Sequence, residues 1–511
     1  MSENISIKRN VAANYLSQIY FVLLSFVMAP VYLSYLGTEA YGLIGFFTML
    51  SGWIQLLDMG LTPTIVRQAA LYRGGQITGG QLRSFLRGLE VIFGIVSVLV
   101  AGAIAAGTHL IATRWLKVGH LPIFDVEIAV AIMGITVPMR WVAGLYRGVM
   151  IGFERMTWLA TYNIVMASLR FVGVLGAFWA FGVSARVFFT YQFAAALADL
   201  LGVLLMSRYL VGRTKGAGEG FSWAPLRANA GFSFTIGFVS TAWVILTQAD
   251  KLVLSKALPL ALFGMFSLAV AASSAINIVG GPVSQALLPR LTKLFAEGKD
   301  EQAFGLYGNA TQMVCVIVFP AVAALVFLAE PILRAWTGHA DIARHAAPIL
   351  RLYAIGNGAS AVGSFAYYIQ YARGDVRLHF IGNAVVLVIL IPAFIWAGFR
   401  YGGVGTGAAW AAVNCLYLLV WVPVIHAKFL HGRHWTWLAR NVLPIALPTL
   451  LLGWLISMVM VWPGSRVAVF GCLAVIGAVL LTASVAGSSY VRNLAIGMAR
   501  RYQALPVDRP G

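Results

Sequence analysis

The chain alternates between long apolar stretches and short polar connections. A helix needs roughly 20 apolar residues to cross the hydrocarbon core of a bilayer, and stretches of roughly 18 to 25 recur throughout the sequence. This pattern predicts about fourteen transmembrane helices. The predicted spans are residues 10–33, 41–66, 85–107, 125–149, 158–182, 187–206, 230–256, 261–287, 306–329, 347–371, 378–398, 403–426, 441–461 and 466–486.

Composition agrees with the pattern. Of the 511 residues, 60% are hydrophobic and 10% are charged, with a mean hydropathy of +0.84. A soluble core cannot absorb that much apolar surface. The sequence therefore predicts an all-α, polytopic integral membrane protein, and none of its polar connections is long enough to fold as a separate catalytic domain.

The net charge of +19 raises the question of a nucleic-acid partner. The Lys and Arg residues cluster in alternate connections, which is the bias typical of cytoplasmic loops. We therefore expect membrane lipids as partners, no nucleic acid, and both termini in the cytoplasm. The three cysteines lie in apolar stretches without metal-ligand spacing, so no metal and no cofactor is expected.

A weak internal repeat accompanies the longest polar connection, residues 207–229. An offset of 222 residues aligns Tyr41 with Phe263 and Gly42 with Gly264. Because six spans separate the copies, the repeats would share one orientation and face each other across a central cleft. The predicted organisation is an N-terminal six-helix lobe (1–206), a cytoplasmic linker (207–229), a C-terminal six-helix lobe (230–426), a cytoplasmic loop (427–440), transmembrane helices 13 and 14 (441–486) and a cytoplasmic tail (487–511).

Four stretches carry a family resemblance: LGTEAYGLIGFFTMLSGWIQLLDMGL (36–61), IGFERMTWLATYNIVMASLRFVG (151–173), TQADKLVLSKALP (247–259) and YYIQYARGDVRLHFIGN (367–383). In these the chain resembles the polysaccharide transport family of lipid-linked oligosaccharide flippases. The family belongs to the multidrug/oligosaccharidyl-lipid/polysaccharide exporter superfamily.

The resemblance implies a function and a location. It implies a flippase that moves undecaprenyl-diphosphate-linked oligosaccharide repeat units across the bacterial inner membrane by alternating access. The pathway would be that of O-antigen, capsule or exopolysaccharide, and a polysaccharide polymerase and a chain-length regulator would be further partners. Such a protein would not be an enzyme.

Three arginines inside the predicted spans are candidate substrate ligands. Arg140 and Arg147 lie seven residues apart and project from one face of the fourth span, and Arg170 lies within the fifth. Guanidinium groups bind phosphate oxygens in pairs and stay charged in a poorly hydrated site, which suits a diphosphate. The alternatives are that Arg147 extends to the headgroups, and that Arg140 and Arg170 pair with Asp199 or Asp58.

Asp250 and Lys251 are adjacent in an apolar segment at the end of the seventh span. Neighbouring residues on a helix point about 100° apart, so mutual pairing should be poor and each needs another partner. We expect Lys251 to contact the anionic cargo and Asp250 to act as a gate. The alternative is a structural charge pair between spans seven and eight.

Asp58 and Asp199 are the remaining carboxylates inside spans and are candidates for gating or ion coupling. Asp58 precedes Gly60 and Pro63, which weaken the helix, so a kink stabilised by its carboxylate is the competing interpretation.

Other functions fit the sequence less well. There is no GxxxxGK[ST] phosphate loop, which argues against an ATP-driven pump. A cation-coupled multidrug exporter or a lipid II flippase of the same superfamily is the nearest alternative. A polytopic glycosyltransferase or ligase is the alternative of another class, although no paired-carboxylate motif supports it.

Overall fold

The computed structural model describes residues 7–212, 224–494 and 496. Its helices are α1 (Ile7–Trp53), α2 (Leu61–Arg73), α3 (Gly79–Leu110), α4 (Ile123–Gly152), α5 (Met156–Phe181), α6 (Ala185–Gly212), α7 (Ala224–Ala257), α8 (Leu260–Ser274), α9 (Gly280–Ala296), α10 (Asp300–Phe327), α11 (Ala329–Thr337), α12 (Ala340–Gly363), α13 (Phe365–Ala372), α14 (Arg377–Leu416), α15 (Val422–Phe429), α16 (His434–Trp437), α17 (Leu443–Val459) and α18 (Arg466–Gly487). Short 3₁₀ segments (Ile54–Asp58, Ala275–Val279) and π segments (Ile111–Trp115, Tyr417–Trp421, Leu438–Val442) join several of them. The part of the chain described contains no β-strand, so the all-α prediction is confirmed.

Among the described residues, 10 helices are long and apolar enough to cross a membrane. Two of them are about twice the length that a single crossing needs: Ala13–Asp58, with 46 residues, and Arg377–Phe429, with 53. Each contains a glycine with positive φ, Gly37 (79°) and Gly402 (61°), which breaks the helix between two predicted spans. The architecture is consistent with the predicted fourteen spans.

Two predicted spans are not among those ten helices. Residues 230–256 fall in α7, and residues 347–371 fall in α12 and α13. Ser364 alone separates α12 from α13, so this predicted span is interrupted there.

The chain divides into two compact units, within Met1–Ser267 and Leu268–Gly511. In the first unit α7 packs against α1, α2 and α3. The predicted linker lies partly in α6 and α7, and its residues 213–223 fall outside the described residues. The division into two six-helix lobes stays a prediction.

Each unit has one helix at its centre. In the first unit α4 contacts α2, α3 and α6, and in the second α10 contacts α9, α12, α17 and α18. In both helices 56% of the most apolar stretch is buried, the highest share among the ten candidate spans. Polar side chains on α4 therefore have protein neighbours, which places the two α4 arginines inside a helix bundle.

Candidate functional site

The two arginines of α4 face a matching pair of polar residues on α6. The Nη2 of Arg140 donates to Oε1 of Gln192 at 2.8 Å. Two helical turns further along α4, Nη2 of Arg147 donates to both carboxylate oxygens of Asp199, at 2.6 and 2.9 Å. Gln192 and Asp199 are seven residues apart, as Arg140 and Arg147 are, so the two helices match in register.

Helix α5 adds a third pair with the same spacing. Asn163 accepts a hydrogen bond from Nε of Arg147 at 3.4 Å, and Gln192 donates to the carbonyl oxygen of Arg170 at 3.3 Å. Because consecutive spans cross in opposite directions, α5 meets the α4 and α6 pairs in reverse order. The result is two layers about 10 Å apart along the helices. We call Arg140, Gln192 and Arg170 the amide layer, and Arg147, Asp199 and Asn163 the carboxylate layer.

The two layers differ in charge. In the carboxylate layer the single guanidinium group is neutralised by Asp199, and these side chains are 25% and 17% exposed. The amide layer contains two arginines, Arg140 through its guanidinium group and Arg170 through its backbone carbonyl, and no carboxylate. The charges of Arg147, Arg170 and Asp199 all act on Arg140. The excess positive charge of the cluster therefore lies in the amide layer.

Aromatic rings support the two guanidinium groups of the amide layer. Arg140 lies over the ring of Phe47 at 4.5 Å, and Arg170 lies 5.2 Å from the ring of Phe171. Ring faces attract cations without neutralising them. The Nε of Arg170 is buried and has no hydrogen-bond partner among the described residues. An unpaired buried donor is costly, so this site can accept an oxyanion.

The structure thus brings together four of the predicted site residues: Arg140, Arg147, Arg170 and Asp199. Helix α4 packs mainly on α6 and α3, and α5 packs mainly on α1 and α6. Of the three arginines, Arg147 makes the bidentate contact with Asp199.

Asp58 makes no ion pair with the arginines of these layers in the described part of the chain, and it lies at a break between two helical segments. Its carboxylate accepts from the hydroxyl of Thr62 at 2.5 Å and from the Thr62 backbone N–H at 3.3 Å. Met59 and Gly60 follow in the left-handed region, with φ of 41° and 76°. The carboxylate satisfies a backbone donor in the first turn of α2, which favours the interpretation of a stabilised kink.

Asp250 and Lys251 lie near the end of α7. Lys251 donates its backbone N–H to the Asp250 carboxylate at 2.7 Å, and its Nζ donates to the carbonyl oxygen of Thr247 at 2.5 Å. The two charged groups are 3.9 Å apart, at the outer limit of an ion pair. Asp250 is 3% exposed. The side-chain contact of Lys251 with Thr247 thus lies within one turn of α7.

Gln192 and Asn163 were missed by the sequence analysis, which considered only ionisable residues. A signal was available, because α4, α5 and α6 each place two polar residues seven positions apart within an apolar stretch. The described residues contain no cluster of His, Cys, Asp or Glu that could hold a metal ion.

Comparison with known proteins identifies the family. The model of the polysaccharide biosynthesis protein family matches residues 7–295, more than half of the chain. The chain belongs to this family. The match includes every residue of both layers, together with Asp58, Asp250 and Lys251.

Individual family relatives and structural neighbours are distant in sequence. A Shigella flexneri protein provisionally named as an O-antigen transporter is 18% identical over 382 residues, which cover 74% of this chain and 87% of that protein. The lipid II flippase MurJ, in an inward closed conformation, has a TM-score of 0.68 at 15% identity, with 95% of this chain and 99% of that chain covered.

A multidrug resistance MATE family transporter of the MOP superfamily, in an inward-facing conformation, has a TM-score of 0.66 at 14% identity. The alignment covers 81% of this chain and 95% of that chain. These likenesses show that the chain has the fold shared by such transporters. As a member of the polysaccharide biosynthesis protein family, it is a multi-span membrane protein.

Proposed function

We propose that the chain is a flippase for undecaprenyl-diphosphate-linked oligosaccharide repeat units, working by alternating access in the bacterial inner membrane. The observation that carries the proposal is the amide layer, where two arginines of candidate membrane spans lie without a carboxylate. Charged residues inside a membrane protein are costly and mark transport pathways. Family membership and the name of the Shigella flexneri relative support a glycan cargo.

The cargo's diphosphate would bind in the amide layer. Arg140 and Arg170 offer planar forks that match phosphate oxygens, and their aromatic neighbours leave the positive charge available. Arg147 was expected to bind the cargo directly, but its Nη2 is occupied by Asp199. We therefore assign Arg147 to positioning, as the residue that holds α4 in register with α6.

The competing functions make different demands on this cluster. A cation exporter would need excess negative charge, whereas three arginines and one aspartate share the cluster. A lipid II-type cargo remains the second candidate, because the match to the lipid II flippase covers nearly the whole of both chains. We propose transport without covalent chemistry, rather than a glycosyltransferase or ligase activity.

The other predicted residues enter the proposal as conformational elements. Asp250 and Lys251 would form a gate at the end of α7, with Lys251 contacting the cargo during passage. Asp58 would hold the break before α2, and Asp199 would couple α4 to α6. We further propose two six-helix lobes, cytoplasmic termini, and cooperation with a polymerase and a chain-length regulator.

The test is complementation of a deletion strain with charge-neutral variants. The double variant Arg140→Gln/Arg170→Gln should abolish glycan export and trap undecaprenyl-linked repeat units in the inner membrane. Lysine at either position should restore export only in part, because it offers a point charge without the fork. Expression and membrane insertion are measured for each variant.

The carboxylate layer provides the matched control. Arg147→Gln/Asp199→Asn also removes two charges, one from α4 and one from α6, but it leaves the amide layer intact and the net charge unchanged. It should retain more export than the amide-layer variant, because the proposed diphosphate ligands stay in place and only the positioning contact between α4 and α6 is lost. Full export by the Arg140→Gln/Arg170→Gln variant at normal expression would overturn the proposal. Accumulation of lipid II in the deletion strain, with unchanged glycan, would support the second candidate instead.

A further inference from the structure

The second unit contains a cavity of about 340 Å³ lined by three arginines. Arg334 of α11, Arg351 of α12 and Arg466 at the start of α18 contribute to its wall. Glu330 is the one carboxylate in the lining. The cavity therefore has an excess of two positive charges, and its volume is within the range of small-molecule sites.

One of the three guanidinium groups is fixed by the protein. Arg466 donates to the carbonyl oxygen of Ala335 through Nε at 3.2 Å and through Nη2 at 2.8 Å. Its Nη2 also donates to the carbonyl oxygen of Trp336 at 3.2 Å. These carbonyls belong to the last turn of α11, where a positive charge is favoured by the helix dipole. Arg466 is thus held in position while its charge remains without a carboxylate partner.

The other two guanidinium groups are uncommitted. Within the described ranges, Arg334 and Arg351 make no hydrogen bond and no ion pair, and both are exposed. Glu330 lies one helical turn before Arg334 yet forms no ion pair with the described residues. Three like charges around one cavity repel each other, and an anion between them would relieve that repulsion.

Three other basic residues of the second unit are paired with carboxylates. Arg373 pairs with Asp300 at 2.9 Å, and Lys428 pairs with Asp375 at 2.6 Å. Arg433 pairs with Glu301 at 2.6 Å. These three basic residues therefore have carboxylate partners, which the three arginines around the cavity lack.

The apolar part of the lining indicates what kind of anion fits. Phe327, Leu328 and Trp462 lie beside the arginines, and Trp462 belongs to the connection between α17 and α18. Tryptophan and arginine at the ends of transmembrane helices are typical of the headgroup level of a bilayer. A ligand with a phosphate group and an adjoining apolar portion would use both kinds of surface.

We propose that this cavity is a binding site for a phosphate group, with Arg334, Arg351 and Arg466 as its ligands. The phosphate comes either from the headgroup of an anionic phospholipid or from a soluble phosphate compound. The site is distinct from the amide layer, because all of its residues lie in the second unit and those of the layer lie in the first. The proposal therefore does not depend on the cargo.

The experiment uses the full chain purified in detergent. Thermal unfolding is followed while short-chain phosphatidylglycerol, short-chain phosphatidylcholine or inorganic phosphate is titrated at constant ionic strength. Stabilisation of the folded state by a bound ligand gives an apparent Kd. The variant Arg334→Gln/Arg351→Gln is compared with Arg344→Gln, an arginine of α12 that lies outside the cavity and pairs with Asp341 at 3.8 Å.

The double variant should bind at least about tenfold more weakly, since each lost charge-assisted hydrogen bond contributes about a factor of ten. Arg344→Gln should bind like the unaltered chain. Saturable binding of phosphatidylglycerol alone would identify the headgroup as the source, and saturable binding of inorganic phosphate would identify a soluble ligand. No saturable binding of either, or equal apparent Kd values for the double variant and Arg344→Gln, would overturn the proposal. If the double variant misfolds, Arg334→Gln and Arg351→Gln are tested singly with the same criteria.

Discussion

The ion pair of the carboxylate layer should measurably stabilise the fold. Asp199→Asn leaves the shape of the side chain intact but removes the charge that neutralises Arg147, whose Nη2 is 2.6 and 2.9 Å from the two carboxylate oxygens. Removing one partner of a fully buried pair costs about 3–5 kcal/mol. The two side chains are 25% and 17% exposed, so solvent compensates in part and we expect a loss of about 2–3 kcal/mol.

The assay is a double-mutant cycle on the free energy of unfolding in mixed micelles. Asp199→Asn, Arg147→Gln and the double variant are compared with the unaltered chain. The double variant should be more stable than the sum of the single effects predicts, by about 2–3 kcal/mol, because the two uncompensated groups disappear together.

A surface pair provides the control. Arg73 and Glu154 are 2.7 Å apart, but their side chains are 37% and 60% exposed. Their coupling in the equivalent cycle should be below about 1 kcal/mol. Additive effects at Arg147 and Asp199, within about 0.5 kcal/mol, would refute the reasoning that this layer holds α4 against α6.

Three further predictions concern helix packing, helix capping and a surface ion pair. Gly264→Ala should impair folding, because its new Cβ would overlap a backbone carbonyl oxygen of α1. Gly94→Ala places its Cβ in open space and should stabilise the folded protein by up to about 1 kcal/mol. Circular dichroism melting compares the two variants. Thr62→Val should lower stability by about 1–2 kcal/mol in the same melt, because Asp58 loses a charged hydrogen bond, and an unchanged melting temperature would contradict the capping role. A hydrogen bond from Lys428 lowers the pKa of the Asp375 carboxyl group. The contribution of this carboxylate to stability should therefore be present above its unfolded pKa of about 3.9 and disappear as pH falls through the folded pKa. Stability measured from pH 7 to pH 3 should therefore fall less for Asp375→Asn than for the unaltered chain, and parallel curves would exclude the effect.

The sequence alone determined the class of fold. Long apolar stretches must satisfy their backbone hydrogen bonds internally, which leaves helices as the form that such stretches take in lipid. It also predicted separate spans at 10–33 and 41–66 and at 378–398 and 403–426, and the structure places the breaks at Gly37 and Gly402, where a glycine permits the positive φ that ends a helix. Seven-residue spacing placed Arg140 and Arg147 on one face because the helical period is local.

Only the tertiary structure decided which residues meet. Spacing along α4 does not show whether α5 or α6 lies opposite, and the assignment of Asp199 to Arg147 depends on the register between α4 and α6. The cavity in the second unit joins Arg334, Arg351 and Arg466, which are too far apart in sequence for any local pattern to connect them. Hydrophobic periodicity specifies which face of a helix is buried, whereas the partner of that face follows from packing between helices, which the sequence encodes only over the whole chain.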